Sequence, residues 1–139
     1  MKLEKLAVTI FMLTIASGLT TSHLAQAASD QVAKDLKSWD TDSDGTLDLI
    51  EVKGAAAVKF DSLEKDNDGT LSLKELSSTK IDKKTFTKAD TDKDGTLSKD
   101  EFLTIAEERF KAADTDNDGT VSVTELKTKT GEALLRILK

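Results

Sequence analysis

Twelve-residue stretches opening at Asp40, Glu64, Asp90 and Asp114 each carry carboxylates at their first, third and fifth positions, Gly at the sixth, an apolar residue at the eighth and Glu at the twelfth. Such a run gathers oxygen atoms and nothing softer. A hard cation of calcium's size takes six to eight oxygens at roughly 2.3–2.6 Å, and a short loop can supply most of them when its acidic side chains alternate around a tight turn. In the first stretch Asp40, Asp42 and Asp44 each offer a carboxylate oxygen, Thr46 its backbone carbonyl, Asp48 an oxygen directly or through water, and Glu51 two oxygens from the start of the next helix. The second stretch offers Glu64, Asp66, Asp68, Thr70, Ser72 and Glu75, the third Asp90, Asp92, Asp94, Thr96, Ser98 and Glu101, and the fourth Asp114, Asp116, Asp118, Thr120, Ser122 and Glu125. Gly45 stands where the turn needs a positive φ, a conformation that costs a residue with a Cβ about 1–2 kcal/mol.

Loop two departs from the pattern. Glu64 replaces Asp at the first position, and its extra methylene pushes the leading carboxylate into a ring sized for Asp. Either the loop binds most weakly of the four, through a changed glutamate rotamer, or it is degenerate and serves as a structural partner.

The elements that must hold these loops follow from their spacing. First positions at 40, 64, 90 and 114 leave only residues 52–63 between the end of loop one and the start of loop two. Separate outgoing and incoming helices of ordinary length need more than about 20 residues, so there is room for one shared helix. Leu49, Val52, Ala56, Phe60 and Leu63 recur at helical spacing and predict one buried stripe, interrupted only by Gly54 at a cost of about 1 kcal/mol. Phe102, Ala106, Phe110 and Ala113 repeat the stripe between loops three and four. The middle connection differs, because a Ser77-Ser78-Thr79 cluster breaks it and Asp82 offers an N-cap for a short helix carrying Phe86.

A shared helix of about 16 residues keeps its two loops roughly 24 Å apart, so loops one and two cannot pair. A chain reversal in the middle connection brings loop three beside loop two, and antiparallel shared helices then bring loop four beside loop one. The expected fold is all-α, a compact domain of four loops with short inter-loop helices, paired 2–3 and 1–4 through β-bridges at Leu71 with Leu97 and Leu47 with Val121. Trp39, just before loop one, takes the place that Leu63, Ala89 and Ala113 hold before the others and reads as a core anchor, with Leu36 one turn earlier.

Composition narrows the function. Lys2 and Lys5, an apolar run from Leu6 to Leu19, and Ala25-Gln26-Ala27 predict a secretory signal peptide over residues 1–27, cleaved after Ala27. The run is about 21 Å of helix, short of the roughly 30 Å a membrane span must cross. Removing residues 1–27 from the 139 leaves a 112-residue domain, residues 28–139, and takes the net charge from −6 to −7. So acidic a chain repels nucleic acid and anionic lipid, which points to metal ions as its partners and a periplasmic or secreted location. Cys is absent and the one His, His23, falls in the leader, so the expected mature domain has no thiol or imidazole and, with no Tyr, no phenol; catalysis is not expected. With Trp39 and four Phe as its aromatics, the domain is short of core, and crowded carboxylates predict that metal binding drives folding.

The twelve-residue pattern is that of an EF-hand calcium loop. Four such loops at short separations behind a leader, the Phe110-to-Thr120 run Phe-Lys-Ala-Ala-Asp-Thr-Asp-Asn-Asp-Gly-Thr, and the tail ending Ala-Leu-Leu-Arg-Ile-Leu-Lys together resemble lanmodulin. That family consists of periplasmic lanthanide-binding EF-hand proteins that fold on binding metal, and the resemblance implies the same here. The loops differ from the family's: Thr41, Lys65, Thr91 and Thr115 stand where lanmodulin has Pro, and only Asp48 keeps its ninth-position Asp, against Ser72, Ser98 and Ser122. Those serines suit Ca2+, while the five carboxylates of loop one suit a trivalent lanthanide, which gains more from each added charge. Calcium is the expected ion, the lanthanide the alternative, and magnesium, which demands a tight octahedron, a poor third. A calcium sensor with a protein partner is a further alternative. It is disfavoured because Met1 and Met12 leave with the leader, and sensor grooves rely on Met. Dockerin modules share the loop period, but the Ser/Thr pair they use after the ninth position is replaced here by Leu49-Ile50, Leu73-Lys74, Lys99-Asp100 and Val123-Thr124.

Overall fold

The computed structural model describes the backbone of residues 20–139, and side chains from residue 26 onward. Residues 1–19, most of the expected leader, lie outside the described residues, and residues 20–27 form the opening turns of the first helix. In chain order the elements are α1 (Thr20–Trp39), β1 (Thr46–Asp48), α2 (Leu49–Leu63), β2 (Thr70–Leu71), a 3-10 turn (Glu75–Thr79), α3 (Lys83–Ala89), β3 (Leu97–Ser98), α4 (Lys99–Ala113), β4 (Thr120–Ser122), α5 (Val123–Leu126) and α6 (Lys129–Leu138). The fold is all-α, with two short antiparallel strand pairs joining the loops. Among the described residues, no helix is long and apolar enough to cross a membrane.

Helices α2 and α4 are the two shared helices, each of 15 residues. Both begin with a capping box, in which the ninth loop residue caps the backbone N–H of the twelfth-position glutamate and that glutamate reaches back. They lie antiparallel, as three cross-helix contacts require. Lys53 near the start of α2 pairs with Glu107 at 2.7 Å, Asp61 near its end pairs with Lys99 at 2.8 Å, and the Phe60 and Phe102 rings meet edge to face at 5.9 Å. Val52, Ala56, Phe60 and Leu63 of α2 are buried, as are Phe102, Ala106, Phe110 and Ala113 of α4.

The reversal between them is made as the sequence predicts. The 3-10 turn ends at Lys80, whose φ of 52° is left-handed, and Asp82 then caps α3 by accepting the Thr85 N–H at 2.7 Å. Phe86 and Ala89 of α3 are buried. Antiparallel pairing follows, with Leu71 opposite Leu97 in one two-stranded sheet and Leu47 opposite Val121 in the other. All four of these residues are fully buried, so the apolar eighth positions weld each loop pair to the core. Leu36 is buried and Trp39 is half-buried against the same cluster.

The chain after loop four departs from simple repetition. Its outgoing helix α5 stops after four residues, because the Thr128 hydroxyl donates to the Glu125 carbonyl at 2.7 Å and accepts the Gly131 N–H at 3.1 Å, capping a new helix. That helix, α6, lies against α4 and α2 and buries Leu134, Leu135, Ile137 and Leu138. Arg109 on α4 donates to the Ala133 carbonyl at 2.7 Å, and Lys139 at the end of the chain pairs with Asp35 on α1. The tail thus supplies core that an aromatic-poor sequence otherwise lacks.

Candidate metal centre

Each loop wraps its backbone around the space its carboxylates share. The chain takes a left-handed turn twice, at the fourth position (Ser43, Asn67, Lys93, Asn117, with φ of 57–63°) and at the sixth-position Gly (φ of 84–91°). These turns point successive N–H groups inward. The sixth-position N–H donates to the first-position carboxylate in all four loops, at 3.0 Å for Gly45 to Asp40, 3.3 Å for Gly69 to Glu64, and 3.1 Å for Gly95 to Asp90 and Gly119 to Asp114. The fifth-position carboxylate accepts both the N–H and the hydroxyl of the seventh-position threonine, within 2.9 Å in every loop.

Ligand oxygens converge accordingly. Atoms of Asp40, Asp42 and Glu51 lie within 4.8 Å of one another, as do those of Glu64, Asp66 and Asp68, of Asp90, Asp92 and Asp94, and of Asp114, Asp116 and Asp118. Asp44 is not a member of the first group, and the twelfth-position residues Glu75, Glu101 and Glu125 are not members of the other three. Glu64, despite its extra methylene, reaches the same cluster as its Asp counterparts.

Two oxygens show that a hard cation fits. Asp90 Oδ1 and Asp114 Oδ1 are buried and have no hydrogen-bond partner, while the other oxygen of each carboxylate accepts a glycine N–H. A buried carboxylate oxygen left without a donor is costly, and a cation bound among the converging oxygens supplies the missing partner. The donor set of carboxylate, hydroxyl and carbonyl oxygen, with no nitrogen or sulfur, suits a hard cation rather than the softer metals that prefer imidazole or thiolate. Bound there, the ion would be held by the first-, third- and fifth-position carboxylates, with the seventh-position carbonyls of Thr46, Thr70, Thr96 and Thr120 and the twelfth-position glutamates completing the shell.

Charge in the loops is poised for such an ion. Glu101 is desolvated, which alone would raise its pKa, but hydrogen bonds from Thr91 and Ser98 outweigh this and hold it down at about 2. Glu125 is likewise held at about 2, chiefly by the Ser122 N–H, with Thr115 adding to it against desolvation. The Ser72 hydroxyl leads the bonds that lower Glu75. Crowding acts the other way on Asp42: the Asp44 N–H draws it down, but desolvation and the charges of Asp44 and Glu51 raise it above the usual range.

The ninth positions do something other than face an ion directly. Asp48 Oδ1 accepts the Glu51 N–H at 2.8 Å, and the Ser72, Ser98 and Ser122 hydroxyls sit within 3.4 Å of their glutamate N–H groups; Asp48, Ser98 and Ser122 thereby cap the helices that follow, while the 3-10 turn after loop two begins at Glu75 without a side-chain cap. The fifth carboxylate of loop one is therefore engaged in helix capping. Loop two is the loosest. Asp44, Asp94 and Asp118 donate their N–H to the third-position carboxylate at 3.2–3.3 Å, whereas among the described residues no such bond joins Asp68 to Asp66. Its glutamate opens a 3-10 turn rather than an α-helix.

Comparison with known proteins agrees with this geometry where it reaches. The family model described as EF hand matches residues 81–106 and 105–128, which contain loops three and four. The two matches support an EF-hand calcium-binding family, typically one of non-enzymatic metal binders. No curated protein matches the chain.

Proposed function

We propose that the chain is an extracytoplasmic calcium-binding protein that buffers or carries the ion and gains order when it binds. The observation that carries this reading is the fourfold convergence of carboxylate oxygens, with Asp90 Oδ1 and Asp114 Oδ1 buried and unpartnered at the heart of two loops. Serines at three ninth positions favour a divalent ion, since each gives up the extra carboxylate that a trivalent ion would reward. The leader-like N-terminus supports export. Calorimetric titration with calcium, then with a lanthanide in competition, tests the ion; strong preference for the trivalent ion at neutral pH would overturn calcium. Cell fractionation with N-terminal sequencing tests export, and an intracellular chain still carrying Met1 would oppose it.

A lanmodulin-like lanthanide carrier is the second reading. Loop one favours it through its five carboxylates, although Asp48 is occupied as a helix cap.

A further inference from the structure

The twelfth-position glutamate enters each loop from the following helical turn, and in all four loops its two oxygens are tied to the same places. Oε2 accepts the N–H of the ninth residue, at 3.1 Å from Asp48, 2.9 Å from Ser72, 3.0 Å from Ser98 and 2.9 Å from Ser122. Oε1 accepts the N–H of the second residue, at 2.5 Å from Thr41, 3.0 Å from Lys65, 2.8 Å from Thr91 and 2.8 Å from Thr115. In three loops a second donor joins it. The hydroxyls of Thr41, Thr91 and Thr115 reach the same Oε1 at 2.9, 2.8 and 3.0 Å. Loop two has no such hydroxyl, because Lys65 stands there and its Nζ turns away to the Ser62 carbonyl.

We propose that Thr41, Thr91 and Thr115 are positioning residues for cation binding, whose hydroxyls clamp the twelfth-position carboxylate against the second residue before the ion arrives, and that Lys65 leaves loop two without this clamp. The inference rests on the cation reading above. A glutamate side chain gives up the freedom of its χ angles when it binds an ion. One already held at both oxygens has given it up on folding, which leaves less to lose on binding. Donors to an ionised carboxylate make bonds about twice as strong as neutral ones, so a single hydroxyl is enough to matter. The hydroxyl also adds a second bond to the link between the second residue and the twelfth, a link that the Lys65 N–H makes alone in loop two.

Four glycine amides allow each loop to be read separately, since Gly45, Gly69, Gly95 and Gly119 each donate to the first carboxylate of their own loop. The test follows these four signals by 1H–15N NMR during calcium titration of the full chain, unaltered and as Thr91→Val, Thr91→Ser and Lys65→Thr, with metal-free melting of each variant alongside. Thr91→Val keeps shape and removes the hydroxyl, and is expected to move the Gly95 midpoint to about tenfold higher calcium. Thr91→Ser restores the hydroxyl and is expected to restore the midpoint to within about twofold of the unaltered chain, while Lys65→Thr moves the Gly69 midpoint to lower calcium. Equal Gly95 midpoints in the Val and Ser variants overturn the clamp, including the case in which Thr91→Val lowers the metal-free melting temperature alone. So does a tighter midpoint for Thr91→Val, which would mean that the hydroxyl competes with the ion. If no glycine signal of the unaltered chain moves with calcium, the cation reading falls and the clamp with it; signals that move while the variants fail to differ overturn the clamp alone.

Discussion

Two glycines in helices should respond to alanine with opposite signs. Propensity alone gains about 1 kcal/mol when Ala replaces Gly in a helix interior. At Gly54, on the exposed side of α2, an added Cβ would find nothing within 4 Å, so Gly54→Ala should keep that gain and stabilise by about 0.5–1 kcal/mol. At Gly131 the same methyl would stand 2.1 Å from the Glu125 carbonyl oxygen, 2.4 Å from Leu126 Cα and 2.7 Å from the Leu126 carbonyl carbon. All three atoms are backbone, and none can swing aside. Overpacking of this kind costs about 1–3 kcal/mol, and here relief requires α6 to lift from the core in which Leu134 and Ile137 are fully buried. The clash outweighs the propensity gain, and Gly131→Ala should destabilise by about 1–3 kcal/mol. At about 4 °C per kcal/mol for a domain of this size, melting followed by circular dichroism at saturating calcium should show a fall of roughly 4–12 °C for Gly131→Ala and a rise of roughly 2–4 °C for Gly54→Ala. Loop four should loosen too, because Glu125 is one of the residues displaced. A neutral or stabilising Gly131→Ala would refute the docking of α6 against α5, and a destabilising Gly54→Ala would mean that this face of α2 is covered.

Acid should weaken the metal-free fold in a defined window. Glu101 and Glu125 are held at about 2 in the folded chain against an ordinary 4.5, so their contribution is whole above about pH 4.5 and is lost as pH falls toward 2; a melting temperature unchanged between pH 5 and pH 2.5 would oppose the hydrogen bonds assigned to them. Phe102 is fully buried and meets Phe60 edge to face, so Phe102→Ala should cost about 3–5 kcal/mol in urea unfolding, and a loss under 1 kcal/mol would place the α2–α4 contact elsewhere. Lys93 holds a φ of 60° that asparagine adopts more readily. Lys93→Asn should therefore recover part of the about 1–2 kcal/mol that a left-handed residue costs, seen as a higher melting temperature, and a lower one would count against the turn.

What could be read from the chain was what its spacing constrains. A helix has a fixed rise, so the twelve residues between Glu51 and Glu64 admit one helix, and that rigidity forces loop one to seek loop four and Leu47 to meet Val121. Thr41, Thr91 and Thr115 carry no local sign of their role, because their bonds reach ten residues along the chain to a glutamate whose orientation no local pattern records. Ser43 and Lys93 take left-handed backbones that their side chains do not announce. The capping role of the ninth positions is a local signal, a Ser or Asp three residues before Glu, that the metal reading of the same residues masked. In the sequence the α6 segment carries only part of a family resemblance, with no helix expected from its residues; its place in the core depends on the break at Thr128 and on a backbone approach that only Gly131 allows.

Four oxygen cages, joined in pairs by Leu47–Val121 and Leu71–Leu97, are expected each to hold a hard cation, with loop two the weakest. Calorimetric titration of the metal-free chain with calcium tests this most directly. Three tighter sites followed by a weaker fourth, the last abolished by Glu75→Gln, is the result the structure predicts. A flat titration, or four equally tight sites with loop two among them, would contradict it.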